Sequence, residues 1–227
     1  MIFDAALGDL LPLAIGIAIS PIPIIACILI LFSSNARLNG PLFLLGWIIG
    51  IAVVTTAVYL VARSSGVTDT AASGPSLGDV VTLLLGLGAI ALGIKQWRSQ
   101  PAPGEEAKLP AWMSAIADFP PIRAFGFGVL LSALNPKNLA FAAAAGVVID
   151  GAVTSGGNAA AMLALFVVLA SLSIVIPVVY TLVGGEGARR TLTGWRTWLT
   201  AHNAAVMAVL FVVIGAKLLG EGLDGLL

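Results

Sequence analysis

The sequence predicts an all-α integral membrane protein of six transmembrane helices, arranged as two inverted three-helix repeats, with helices 1 and 4 broken. Three observations carry that reading. Apolar side chains make up 59% of the 227 residues and charged ones only 10%, against roughly 45–50% and about 25% in a soluble domain. The apolar residues gather into six stretches long enough to cross a bilayer. Proline-containing polar motifs interrupt the first stretch of each half of the chain.

A mean hydropathy of +1.06 leaves too little polar surface to coat a water-soluble particle. This excludes a soluble enzyme, a nucleic-acid binder and a disordered chain. Eleven Lys and Arg balance eleven Asp and Glu, so bulk charge selects no partner. The single cysteine, Cys27, excludes disulfides and thiolate metal clusters, and the single histidine, His202, excludes multi-histidine sites.

Crossing an apolar layer about 30 Å thick takes roughly 20 helical residues. The qualifying segments are residues 7–32, 41–62, 80–97, 125–149, 159–183 and 204–219. The N-terminus, Met1-Ile2-Phe3-Asp4, is acidic and lacks a small-residue cleavage site, so it reads as the start of a retained helix. The long connection from Arg98 to Ile122 is rich in proline and charge. It divides the chain into residues 1–97, a first three-helix repeat, residues 98–122, a cytoplasmic linker, and residues 123–227, a second repeat.

Orientation follows from the basic residues, which concentrate on the cytoplasmic side of membrane proteins. With the N-terminus outside, Arg37, Lys95, Arg98, Lys108, Arg123, Arg189, Arg190 and Arg196 lie inside, whereas only Arg63 and Lys217 lie outside. Most acids, Asp4, Asp9, Asp69, Asp79, Asp150, Glu221 and Asp224, then fall outside. Trp97, Trp112, Trp195 and Trp198 fall near the cytoplasmic interface. The expectation is a multi-pass protein with both termini outside. Three spans per half make related halves inverted, as in many secondary transporters. Gly93-Ile94-Lys95 and Gly215-Ala216-Lys217 recur at matching depth in the third helices.

Ser20-Pro21-Ile22-Pro23 interrupts helix 1 and Asn135-Pro136-Lys137-Asn138 interrupts helix 4. Each proline removes a backbone hydrogen bond and crowds the carbonyl one turn earlier. Inside a membrane such breaks persist only where protein or a wet cavity satisfies the freed groups. Two breaks at equivalent positions point to a binding site built from Ser20, Pro21, Pro23, Asn135, Pro136, Lys137 and Asn138. Lys137 lies twelve residues from either end of its span, or roughly 18 Å of helix, beyond the reach of a snorkelling side chain. A charge at that depth costs at least about 2.5–3.5 kcal/mol. No Asp or Glu lies mid-span to neutralise it. Backbone carbonyls at the breaks, hydroxyls such as Ser20, water or an anionic substrate remain as partners; the plainer alternative is a lysine buried neutral.

Milder polar groups, Thr55, Thr56 and Tyr59 in helix 2 and Ser171, Ser173 and Tyr180 in helix 5, read as packing hydrogen bonds. Gly128 with Ser132, Ala142 to Gly146, and Ala89 with Gly93 read as close helix contacts. His202 and Asn203 read as the capped start of helix 6. Trp195 and Trp198, with Arg189, Arg190 and Arg196, read either as an interfacial stretch near anionic headgroups or as topology signal. No phosphate-binding G-x-x-x-x-G-K-[ST], no HExxH and no metal-spaced cluster occurs. The expectation is therefore no enzyme, no cofactor and no metal, with transport or flipping as the leading activity.

Ile19-Ser20-Pro21-Ile22-Pro23-Ile24-Ile25, Asn35-Ala36-Arg37, Phe43-Leu44-Leu45-Gly46-Trp47, Pro110-Ala111-Trp112 and Ala133-Leu134-Asn135-Pro136-Lys137-Asn138-Leu139 occur in order along nearly the whole chain. Together they resemble the GAP or sulfolipid-addressing family of the lysine-exporter (LysE) superfamily. That resemblance implies a LysE-like fold of two three-helix repeats. It also implies a bacterial plasma-membrane exporter or flippase that carries a lipid-linked or glycolipid substrate, with membrane lipids as partners and no nucleic acid. A homo-oligomer or a larger lipid-export machinery would be its assembly. Two rivals stay open: an ion-coupled exporter of a small solute such as an amino acid, and a non-transporting accessory subunit.

Overall fold

The computed structural model describes residues 2–65, 77–100, 113, 115, 116, 119–153 and 158–226. Its elements are α1 (Ile2–Ala18), α2 (Pro21–Leu31), α3 (Ala36–Ser65), α4 (Leu77–Arg98), α5 (Pro121–Ala133), α6 (Pro136–Val153) and α7 (Ala159–Leu226). Every element among the described residues is helical, as the sequence predicts. Among the described residues, Ala36–Ser64, Ala159–Gly185 and Gly187–Leu226 are long and apolar enough to cross a membrane, and the bent pair Leu7–Ala18 and Pro21–Leu31 counts as a fourth. Three or four of the six expected spans are thus present by length and composition.

Both expected breaks are present. Helix 1 divides at Ile19–Ser20, where α1 and α2 meet at 53°. Helix 4 divides at Leu134–Asn135 into α5 and α6. Each following half-helix opens on proline, which lacks the N–H that a first turn would leave unpaired anyway. A third interruption was not anticipated. Gly185 in α7 has φ 52°, the only positive φ among the described residues and one that a side chain would strain. Beyond it the helix runs from Gly187 through His202 and Asn203, so these residues do not open a helix. The reason is local: no proline occurs between Gly187 and Leu226. His202 instead stacks on Trp198 with centroids 4.7 Å apart, and its Nδ1 lies 2.8 Å from the Trp198 carbonyl.

The chain forms two compact units, each with segments from both halves. The first comprises Met1–Asp69 with Leu109–Arg196, the second Thr70–Lys108 with Thr197–Leu227. In the first unit, α3 buries one stripe, Asn39, Phe43, Trp47, Ile51, Thr55, Tyr59 and Ala62, whose spacing of three to four places it on a single face. Gly128 of α5 lies against the Phe43 carbonyl and Trp47 nitrogen. Farther along, a Cβ at Gly146 of α6 would stand 2.8 Å from the Thr55 oxygen and the Tyr59 nitrogen. Contacts that advance together along both chains make α3 parallel to α5 and α6. Between lipid-embedded helices, close backbone approach of this kind supplies the cohesion that the hydrophobic effect supplies in water. Phe43, Trp47, Phe119 and Phe127 form an aromatic cluster in this unit.

In the second unit, α4 packs against residues 197–226 through small residues seven apart. Gly86 and Gly93 face Gly215 and Ala208, and Gly222 faces Leu83. Positions fall on one helix as they rise on the other, so this pair is antiparallel.

Candidate functional site

The site grows out of what the prolines remove. In an unbroken helix the Ile17 carbonyl would accept from residue 21 and the Ile19 carbonyl from residue 23, but both are prolines without N–H groups. The Gly16 carbonyl loses its partner as well, because the Ser20 N–H turns to the Ala18 oxygen at 2.9 Å. The C-terminal end of α1 therefore presents unpaired carbonyls, the negative pole of the helix dipole.

Lys137 meets them. Its Nζ donates to the Gly16 oxygen at 2.6 Å and to the Ile19 oxygen at 3.5 Å. It also lies 6.0 Å from the centre of the Phe141 ring, the outer limit for a cation–π contact. The Phe141 ring in turn fills the space beside Gly16, where a Cβ would stand 2.7 Å from it. The two breaks thus come together in the first unit, and the lysine of one caps the carbonyl end of the other. No carboxylate pairs with Lys137 among the described residues.

The second break is organised the same way. Asn135 caps α6, its Oδ1 accepting from the Lys137 N–H at 3.1 Å. Asn138 reaches back across the gap: its Nδ2 donates to the Leu131 carbonyl at 3.1 Å, replacing the donor that residue 135 would have supplied. Its Oδ1 is buried without a partner among the described residues. Pro136 denies Ser132 its helical donor. Ser20, Pro21 and Pro23 are buried, and Ser20 makes no capping hydrogen bond through its side chain. All seven residues expected at the site therefore lie at the two breaks. Lys137 bridges them, while Asn135 and Asn138 serve their own helix pair.

The family follows from the whole chain. Residues 10–224 match the family model described as Sap, sulfolipid-1-addressing protein (SfLAP). The chain belongs to that family. No curated protein and no solved structure matches it.

Both breaks fall inside the stretch that matches the sulfolipid-1-addressing family. The structure adds three participants to them that the residue pattern did not single out. The carbonyls of Gly16 and Ile19 were half legible, since a proline four residues on leaves a carbonyl without a donor. Phe141 had no signal beyond being an aromatic one turn from Lys137. Asn39, also missed, is fully buried, and its Nδ2 donates to the Phe119 carbonyl at 2.8 Å, fastening the end of the linker to α3.

Proposed function

We propose that this member of the sulfolipid-1-addressing family moves an anionic lipid-linked or glycolipid substrate across the bacterial plasma membrane toward the cell surface. It acts as a transporter rather than an enzyme. The observation that carries the reading is the Lys137 ammonium resting on the carbonyls of Gly16 and Ile19, with no carboxylate partner among the described residues. An ammonium has three donors, and two weakly charged acceptors leave it able to take an arriving sulfate, phosphate or carboxylate. The dry surroundings make that attraction stronger than in water. The half-helices α2 and α6 begin at these same breaks, and helix N-termini favour negative charge.

A lipid fits better than a small solute. Ile19, Leu134 and Leu139, beside the two breaks, are 44%, 70% and 44% exposed, and Lys137 is only half-buried. In a bilayer such residues face lipid, so the polar break opens sideways and acyl chains can stay outside while the headgroup enters. A small-solute exporter would enclose its charge.

The six-span inverted arrangement with both termini outside belongs to the same proposal. Parallel α3 and α5–α6, and an antiparallel pair of α4 with the end of α7, are the directions that arrangement gives helices 2 with 4 and 3 with 6. Release of the tightly held anion then comes from rocking of the two repeats. The test is headgroup exposure in reconstituted vesicles carrying sulfated or phosphorylated glycolipid. Folded Lys137→Met should lose movement. Lys137→Arg should retain binding, its bulkier planar head slowing passage. Normal movement by Lys137→Met ends the mechanism.

A further inference from the structure

The second unit carries a feature that the breaks do not use. Where Gly93 of α4 meets Ala208 of α7, one has no side chain and the other only a methyl, so the contact line lies deep. A Cβ at Gly93 would stand 3.1 Å from the Ala208 oxygen. Larger side chains rise on both sides, Ile94 and Trp97 from α4, Val209, Val212 and Val213 from α7, and enclose about 290 Å³. Trp97 and Val213 are 57% and 62% exposed, so the trough is open along its length. Its lining is apolar until Arg98, at one end. Lys95, exposed, stands one turn from Arg98. Neither residues 80–104 nor residues 197–220 contain an Asp or Glu. The acids of the described part of this unit, Asp79, Glu221 and Asp224, lie at its other end, where Gly222 packs on Leu83 and Gly225 meets the Asp79 carboxylate.

We infer that this trough is a lipid-binding site that holds an acyl chain of an anionic membrane phospholipid, with the headgroup on Arg98 and Lys95. Apolar walls exclude a charged or peptide-like ligand from the trough itself. A basic end without acids among the described residues selects a negative headgroup over a zwitterionic one. Trp97, apolar in body with one N–H, stands where chain gives way to headgroup, the level at which indoles settle. The site is separate from Lys137 and would persist if that residue proved idle.

Fluorescence quenching decides it. The full chain is reconstituted in phosphatidylcholine vesicles with rising fractions of acyl-brominated phosphatidylglycerol or acyl-brominated phosphatidylcholine. Subtracting the Trp97→Phe variant isolates the Trp97 emission. A basic residue near the surface gains about a five-fold preference for anionic lipid. Half-quenching should therefore come at a several-fold lower fraction of brominated phosphatidylglycerol, and the Lys95→Gln/Arg98→Gln variant should make the two lipids equal. Val213→Phe, which fills the trough, should weaken quenching by both. Equal quenching in the unaltered protein overturns the proposal. So does Trp97 emission that neither lipid quenches, since the trough would then be covered by protein.

Discussion

Lys137 Nζ lies 2.6 Å from the carbonyl oxygen of Gly16, a residue 121 positions earlier in the chain. Each is the product of a different helix break, and each relieves the other. The ammonium gains acceptors, and the carbonyl end of α1 gains the donor that its own helix no longer supplies.

That reciprocity sets the stability of a charge-removing variant. Lys137→Met leaves the Gly16 and Ile19 carbonyls unsatisfied, at about 1–3 kcal/mol for a buried group. It also relieves a charge whose burial costs about 2.5–3.5 kcal/mol. The two nearly cancel, so thermal unfolding in detergent should shift little while substrate movement is lost. A large fall in the midpoint would show that Lys137 is a structural cap first.

The prolines of the first break hold it open. Pro21→Ala with Pro23→Ala restores N–H groups to the Ile17 and Ile19 carbonyls, and an interior proline costs a helix about 3 kcal/mol or more. The bend of 53° between α1 and α2 should relax. Electron spin distances between labels at Leu11 and Leu29 should lengthen, the unfolding midpoint should rise and movement of substrate should slow. Unchanged distances would mean that neighbouring helices, not the prolines, impose the bend.

Gly126 and Gly128, two residues apart in α5, separate packing from propensity. Gly128 abuts the Phe43 carbonyl, whereas Gly126 has open space where a Cβ would stand. Gly128→Ala should destabilise by about 1–3 kcal/mol through overpacking. Gly126→Ala should be neutral or stabilise by up to about 1 kcal/mol. The unfolding midpoint of Gly128→Ala should fall while that of Gly126→Ala holds or rises; equal shifts would refute the close packing of α5 on α3.

Topology can be read by cysteine labelling at Ala72 and Gly104, which lie outside the described residues. Native Cys27 is fully buried, and Cys27→Ala removes it from the background. Ala72→Cys should react from outside and Gly104→Cys only after permeabilisation. The reverse pattern would overturn the orientation assigned from the basic residues.

Much of the site was legible because proline chemistry is local. Pro21, Pro23 and Pro136 each delete a defined hydrogen bond, so both breaks could be placed to within a residue or two. The place of Lys137 at the second break followed from its position beside Pro136. Backbone carbonyls at the breaks were among the partners expected for Lys137; that they are those of Gly16 and Ile19 did not follow, because every residue carries a carbonyl and no pattern distinguishes one from another. The role of Asn138 was hidden for the same reason: its amide serves Leu131, seven positions back, across a gap whose geometry depends on how α5 ends. The continuation of α7 through His202 shows the opposite failure, since a polar pair resembling a cap lies in a segment that nothing terminates.

The sequence by itself determined the class of protein, the positions of the two breaks and the presence of one cation at the second of them, because composition and proline stereochemistry act over a few residues. That the breaks meet was expected from their equivalent positions; only the tertiary structure decided that Lys137 is held by Gly16 and Ile19, and that α4 pairs with the end of α7. Those pairings depend on which small residues let two backbones approach, and that choice is made between helices distant in the chain rather than within either one.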